Sequence, residues 1–207
     1  MIKAVVFDYG LVLSGPRAPW AMQEAWQLTG LLPERFEEVY WKFREEYDAG
    51  LLDGAAYWQK SLDSAGIVAS PETVERLVWL DGQMWCTANA PLVEWLPRLR
   101  AAGLKTAILS NMGDAVSRAI ERECAWVHAF DVRIWSYALG CTKPGARIFE
   151  ILLQQLALPP AQTLFIDDRA ENVKAARNLG MHAHVYSTIE QMRIELLSNS
   201  VLSNETR

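Results

Sequence analysis

The chain has 207 residues, of which 51% are hydrophobic and 22% charged, enough to bury one domain or a core with a modest insertion. Its net charge of −5, with no basic tract, disfavours a nucleic-acid partner, and the apolar run that ends at Asp8 is too short for a signal peptide or a membrane span. Three widely spaced cysteines form neither a disulfide framework nor a zinc pattern, so we expect a cytoplasmic protein.

Five short apolar segments predict buried strands, centred near residues 5, 108, 133, 165 and 184, of which the one near 133 is the weakest. Amphipathic helical patterns accompany the last four. The first covers residues 91–103 and is expected to kink at Pro97. The second covers residues 144–158, with Pro144 in its first turn, and the third covers residues 170–180. This alternation predicts an α/β fold with a Rossmann-like, mostly parallel sheet and helices on both faces.

Residues 15–88 interrupt the alternation with four helical patterns and no convincing strand. We predict a small four-helix cap there, inserted after the first strand into an α/β core of residues 1–14 and 89–207. Most of the nine tryptophans lie in this region; we expect them mainly in the helical core, with a ligand-facing role for one or two as the alternative. The acidic run at residues 35–50 predicts a solvated helix face.

Polar residues follow three of the predicted strands, namely Asp8, Ser110 with Asn111, and Asp167 with Asp168. In open parallel sheets, ligands bind beyond the carboxyl ends of the strands, so these side chains are expected to meet. Carboxylates gathered there repel one another unless a cation lies between them. Hard oxygen ligands without a nearby His or Cys favour Mg²⁺.

Four motifs in chain order resemble those of the haloacid dehalogenase superfamily of hydrolases, most of which are phosphatases. They are Asp8 in "VVFDYG", Ser110 in "AILSN", Lys143 in "CTKPGARIF", and Asp167 and Asp168 in "LFIDDRAENV". The helical insertion after the first motif is similar to the cap of one subclass, and "FDYGLV" is similar to the opening of its sugar-1-phosphate phosphatase branch.

The resemblance implies a role for each of these residues. Asp8 would be the nucleophile that forms an aspartyl-phosphate, Lys143 would neutralise charge, and Ser110 with the backbone amide of Asn111 would hold the phosphoryl oxygens. Mg²⁺ would be held by Asp8, by the carbonyl of Gly10 and by Asp168 as a direct ligand, with Asp167 acting through a bound water or through the groups around the ligands.

Gly10 departs from the family pattern, because phosphatases of this superfamily usually carry a second Asp two residues after the nucleophile. That Asp protonates the leaving group, and general acid catalysis contributes about 10²–10⁴-fold. We therefore expect a steep dependence of rate on the basicity of the leaving oxygen. The segment "SGPRAPW" is expected to pass over the site, where Arg17 and Trp20 are the nearest side chains suited to a sugar or a second anion. For Arg17, the alternative of an ordinary loop residue is the favoured one.

The predicted function is Mg²⁺-dependent hydrolysis of a small phosphate ester, with a sugar phosphate among the candidates. One alternative is a 2-haloacid dehalogenase, which needs neither a general acid nor Mg²⁺ but does not account for the acidic pair. The other is a non-catalytic phosphoester-binding protein, for which Gly10 is the sole support. The expected partner is a small molecule, with no membrane or nucleic acid, in a monomer or a homodimer.

Overall fold

A computed structural model describes residues 1–198 and, of these, all side chains except those of residues 193 and 195–198. Its centre is a five-stranded sheet in the order β3-β2-β1-β4-β5, in which every neighbouring pair is parallel. The strands are β1 (Ala4–Phe7), β2 (Lys105–Ser110), β3 (Val132–Trp135), β4 (Thr163–Asp167) and β5 (His182–Val185). All five predicted strands, including the weak one near residue 133, are confirmed.

Alternate residues of the central strands pack into two separate hydrophobic clusters. Along β1, Val5 and Phe7 belong to one cluster, whereas Ala4 and Val6 belong to the other. Side chains of a strand point alternately to the two faces, so both faces of this sheet are covered. This is why β1 is a continuous apolar run. The predicted α/β class with helices on both faces is confirmed.

Within residues 1–198, six α-helices lie in the predicted core region: α6 (Ala90–Val93), α7 (Leu96–Ala101), α8 (Asp114–Glu123), α9 (Ala146–Leu156), α10 (Ala170–Asn178) and α11 (Ile189–Ser198). Two of them differ from the sequence-based expectation. The segment around Pro97 is not a kinked helix but two short ones, because proline lacks the N–H that a continuous helix requires. Pro144 precedes α9, whose N-cap is Gly145, so it is not in the first turn.

The region of the predicted cap contains five helices rather than four: α1 (Pro19–Thr29), α2 (Pro33–Lys42), α3 (Arg44–Asp48), α4 (Gly54–Ser64) and α5 (Pro71–Met84). The additional boundary is at Phe43, whose φ of −119° and ψ of 16° are not helical. A single pattern over residues 35–50 is thereby divided into α2 and the short α3.

The chain leaves the core and returns to it at adjacent points. Ser14 and Ala88 form an isolated antiparallel bridge at the two boundaries predicted for the cap. Helix α5 lies close against α8, since a Cβ on Gly82 would be only 2.4 Å from the Cβ of Ala119. These contacts support the division into core and cap, which remains a proposal. Within residues 1–198 no helix is long and apolar enough to cross a membrane.

Candidate active site

The carboxyl ends of β1, β2 and β4 meet at one edge of the sheet. Because the strands are parallel and in register, Asp8, Ser110 and Asp168 are brought to the same end. A cavity of about 480 Å³ opens there, and six of the seven predicted site residues line it: Asp8, Gly10, Ser110, Asn111, Lys143 and Asp168. Asp167, the seventh, is fully buried behind them.

Lys143 is the centre of this group, although a single surface lysine would be the usual interpretation of its sequence. It is only 3% exposed. Its Nζ lies 2.8 Å from Oδ1 of Asp8 and 2.7 Å from Oδ2 of Asp167. Burial lowers the pKa of Lys143, but the two carboxylates outweigh it and leave that pKa raised. The ammonium group therefore stays protonated and joins the two acids.

Asn111 holds the main chain of Lys143. The Oδ1 of Asn111 accepts a 2.8 Å hydrogen bond from the Lys143 N–H, and its Nδ2 donates one of 2.8 Å to the Lys143 carbonyl. This role was not anticipated, since only the backbone amide of Asn111 was expected to act. The side chain of Asn111 thus positions the lysine that neutralises the site.

The orientation of Asp8 is fixed by two donors to one oxygen. Its Oδ1 accepts from the Tyr9 N–H at 2.7 Å as well as from Lys143. Burial raises the pKa of Asp8 to about 6, opposed by Lys143 and reinforced by the like charge of Asp167. A hydrogen bond from the Ser110 side chain also lowers this pKa. At neutral pH the carboxylate is ionised, as a nucleophile must be.

Asp167 is satisfied from inside the protein. Besides Lys143, it accepts from the Arg169 N–H at 2.8 Å and from Nδ2 of Asn172, which lies 3.0 Å from both carboxylate oxygens. Asp168 is half-buried and lines the cavity. Burial, followed by the charge of Asp167, raises the pKa of Asp168. The two acids of the pair therefore occupy different environments.

The donor set fits a hard divalent cation. Carboxylate oxygens of Asp8, Asp167 and Asp168 all lie within 4.8 Å of one another. Lys143 supplies one positive charge against these three acids. Burial, reinforced by the charge of Asp167, raises the pKa values of Asp8 and Asp168. The Oδ1 of Asn172, on the same cavity wall, is buried without a hydrogen-bond partner and can only accept. An oxygen-only set with unsatisfied negative charge suits Mg²⁺.

Gly10 leaves no acid beside Asp8, and its surroundings show what replaces the side chain. Its φ is −62°, a value open to any residue, so a positive φ does not account for the glycine. A Cβ built there would lie 3.4 Å from the Trp85 ring, in ordinary contact. The indole of Trp85 therefore occupies the space next to this position.

The cap supplies the other wall of the cavity, through residues that the sequence analysis did not select: Trp41, Arg44, Glu45, Asp48 and Trp85. Arg44 is buried and lies 3.1 Å from Asp48 through its Nε and 3.0 Å from Asp81 through its NH1. The same NH1 donates to the Tyr40 hydroxyl at 2.7 Å. The prediction of a solvated face is therefore wrong for Arg44 and Asp48, which are both buried.

Arg17 and Trp20 do not line this cavity, contrary to expectation. Both oxygens of Glu37 bind the NH2 of Arg17 at 2.7 Å. Trp20 is 49% exposed on α1 and packs against Trp79 instead. The tryptophans of the predicted cap occupy two kinds of position. Trp58 is fully buried in the core, whereas Trp41 and Trp85 line the cavity.

Three of the residues that were not predicted carry a signal in the sequence. Asn172 lies five residues after Asp167, one turn into α10, where an amide can reach back to the strand end. Arg44 and Asp48 have the spacing of an ion pair within a helix. That spacing does not distinguish a buried pair from an exposed one, so burial had to come from the structure.

Comparisons with known proteins identify the family. The sequence model of the haloacid dehalogenase-like hydrolases matches residues 2–180. A phosphatase of Mycobacterium tuberculosis is 27% identical over 93% of this chain and 90% of its own length. An (S)-2-haloacid dehalogenase of Pseudomonas is 29% identical over 87% of this chain and 82% of its own. Mouse acyl-CoA dehydrogenase family member 10 is 34% identical over 87% of this chain, which spans 17% of that protein.

Solved structures share the fold at lower identity. A HAD family enzyme of Bacteroides thetaiotaomicron, in complex with magnesium and inorganic phosphate, superimposes with a TM-score of 0.71 at 19% identity, over 93% of this chain and 99% of that one. L-2-haloacid dehalogenase of Xanthobacter autotrophicus gives 0.69 at 21%, over 99% and 86%. With the family's sequence model matched over most of the chain, and with Asp8, Lys143 and the acidic pair gathered at one sheet edge, the chain belongs to the haloacid dehalogenase-like hydrolases.

Proposed function

We propose that the protein is a Mg²⁺-dependent phosphatase acting on a small phosphorylated metabolite, with sugar phosphates among the candidate substrates. The observation that carries the proposal is the cluster of Asp8, Asp167 and Asp168 around Lys143. Displacement of halide requires one carboxylate as the nucleophile and gives no role to the two further acids. Metal-assisted phosphoryl transfer gives them a role, because they would help to hold the cation.

The nucleophile is Asp8. Its Oδ1 is held by the Tyr9 N–H and by Lys143, so the carboxylate has one orientation towards the cavity. Attack on phosphorus forms an aspartyl-phosphate and expels the leaving oxygen, and water then cleaves the intermediate. The Ser110 hydroxyl and the Asn111 N–H bind the phosphoryl oxygens, while Lys143 neutralises charge that gathers on them.

Asp8, the Gly10 carbonyl and Asp168 would hold Mg²⁺, and Asp167 would orient the set through Lys143 and Asn172. The bound cation supplies charge neutralisation of the phosphoryl group. Asp167 has its oxygens occupied by Lys143, Asn172 and the Arg169 N–H, which supports an indirect role. Asp168 borders the cavity and supports a direct one.

A 2-haloacid dehalogenase is the second candidate, favoured by the relationship to the Pseudomonas enzyme and by the glycine at position 10. The two are separated by one screen of phosphorylated metabolites and 2-haloacids, each with and without Mg²⁺. We expect hydrolysis of at least one phosphate ester that requires the metal. Halide release without metal, and no phosphate release, would instead establish the dehalogenase.

A further inference from the structure

The carboxylates that border the cavity differ in how firmly they are held. Beyond Asp8 and the proposed metal ligand Asp168, they are Glu45, Asp48 and Glu171. Glu45 is exposed, and Glu171 is exposed and pairs with Arg169. Asp48 alone of these three is buried.

Asp48 belongs to a segment of the cap that is docked on the loop after Ser110. Its carbonyl accepts a hydrogen bond from the Ser136 hydroxyl, which in turn accepts from the Met112 N–H at 2.9 Å. The Asp48 carboxylate accepts from the Gly113 N–H. A residue of the cap is thus fixed directly beside the strand end that carries the predicted phosphoryl-binding side chain.

Close packing on both sides prevents this segment from moving away without disruption. A Cβ on Gly113 would lie 2.2 Å from the Tyr47 ring, so Tyr47 lies flat on the loop. A Cβ on Gly50 would lie 2.3 Å from the carbonyl oxygen of Tyr137, and its φ of +73° also favours glycine. Both glycines allow backbone contact on either side of Asp48.

On the basis of the proposed phosphatase function, we propose that Asp48 is the proton donor and acceptor that replaces the acid missing at Gly10. Trp85 fills the space beside Gly10, so the proton has to come from another wall of the cavity. Asp48 is the buried carboxylate on that wall. It is held by Arg44 at 3.1 Å and by the Gly113 N–H.

The proton balance closes over one turnover. As the bond from Asp8 to phosphorus forms and the bond to the leaving oxygen breaks, protonated Asp48 gives its proton to that oxygen. The resulting carboxylate then takes a proton from the water that attacks phosphorus. The aspartyl-phosphate bond breaks, phosphate leaves, and Asp48 is protonated again.

The ionisation of Asp48 suits both directions of transfer. Burial raises its pKa to about 6, while Arg44 opposes the rise and Asp81 reinforces it. The other groups that face it are the Tyr57 hydroxyl from α4 and, across the cavity, the charges of the catalytic cluster. With this pKa a minor fraction of Asp48 is protonated at neutral pH and starts the cycle as the proton donor, and the ionised form accepts a proton in the second step.

The test is a series of phosphate esters with leaving groups of graded basicity, from 4-nitrophenyl phosphate through phenyl phosphate to a primary alkyl phosphate. Single-turnover rates of the first step are compared for the native protein, Asp48→Asn and Glu46→Gln. Glu46 lies on the same helix, pairs with Lys60 and does not line the cavity, so it is a matched carboxylate-to-amide control.

Gly10 by itself predicts a steep dependence of rate on the basicity of the leaving oxygen, but with Asp48 as the proton donor we expect a shallow dependence for the native protein and for Glu46→Gln. In Asp48→Asn the rate on the alkyl ester should fall by about 100-fold or more relative to that on 4-nitrophenyl phosphate, whose leaving group needs no proton. This ratio is measured within one preparation and does not depend on the fraction that is folded. An Asp48→Asn ratio equal to the native one would overturn the role of Asp48 and leave the phosphatase intact. No phosphate release by the native protein from any ester would overturn both.

Discussion

Gly10 and Trp85 are in contact: a Cβ on Gly10 would lie 3.4 Å from Cζ3 of the indole and 3.8 Å from its Cη2. Two hydrogen bonds fix Trp85 itself. Its indole Nε1 donates to the Tyr40 hydroxyl at 3.0 Å, and its backbone carbonyl accepts from the Tyr9 hydroxyl at 3.0 Å. A methyl group fits at position 10, but atoms beyond it compete with the ring. The position of the Trp85 indole therefore limits the size of the side chain at position 10.

An Asp introduced at position 10 should not act as a general acid unless Trp85 is replaced by a smaller side chain. We expect Gly10→Ala to fold normally and Gly10→Asp alone to give no gain on a primary alkyl phosphate. The double variant Gly10→Asp with Trp85→Leu should hydrolyse the primary alkyl phosphate faster than either single variant, Gly10→Asp or Trp85→Leu. The measurement is single-turnover hydrolysis by the four variants, with thermal unfolding as a check on folding. A gain in Gly10→Asp alone would mean that Trp85 does not restrict this position.

Asp8→Asn should abolish turnover and leave the fold intact, because the amide has the same shape but is not nucleophilic. It should also stabilise the metal-free protein at pH 7.5 by about 1–3 kcal/mol. Burial raises the pKa of Asp8 to about 6 in the folded state, so the native protein loses stability as pH rises from about 4 to 6. Denaturant unfolding in EDTA at pH 4 and pH 7.5 measures the difference. A gain that is equal at both pH values would contradict this explanation.

Lys143→Met should be strongly destabilising at neutral pH. It leaves the buried carboxylates of Asp8 and Asp167 without their shared cation, and breaking a buried ion pair by removing one partner costs about 3–5 kcal/mol. The loss should shrink towards pH 4, since burial raises the pKa of Asp8 to about 6 and its protonation removes the repulsion. Lys174→Met, at an exposed position on α10, is the control and should change the free energy of unfolding by less than about 0.5 kcal/mol. Equal losses for the two variants would exclude a structural role of Lys143.

The core was predictable from the sequence because strand and helix periods are local, and parallel strands bring their ends together wherever they lie in the chain. Asp8 and Lys143 could therefore be placed at one edge. The cap wall could not be predicted, since it depends on one non-helical residue, Phe43, and on the contact of Asp48 with Gly113, 65 positions away. Neither leaves a periodic pattern.

Asp167, the last residue of β4, and Asp168, which follows it, should differ in their effects. Replacement of Asp168 should affect metal binding more, and replacement of Asp167 should affect stability more. Asp168 borders the cavity, so Asp168→Asn should weaken Mg²⁺ binding by more than about tenfold with little change in stability. Asp167 is fully buried and bonded to Lys143 and Asn172, so Asp167→Asn should lower the free energy of unfolding by about 1–3 kcal/mol and weaken Mg²⁺ binding less.

Calorimetric titration of Mg²⁺ into the native protein and both variants, followed by unfolding of the metal-free forms, measures the two effects separately. The pKa of Asp168 is raised by burial and by Asp167, so the native affinity should fall as pH decreases and its carboxylate takes up a proton. Asp168→Asn has no carboxylate to protonate there and should show a weaker dependence on pH. Tighter Mg²⁺ binding by Asp168→Asn than by Asp167→Asn would assign the direct ligand to Asp167, and the indirect role argued from its bonds to Lys143 and Asn172 would then be wrong.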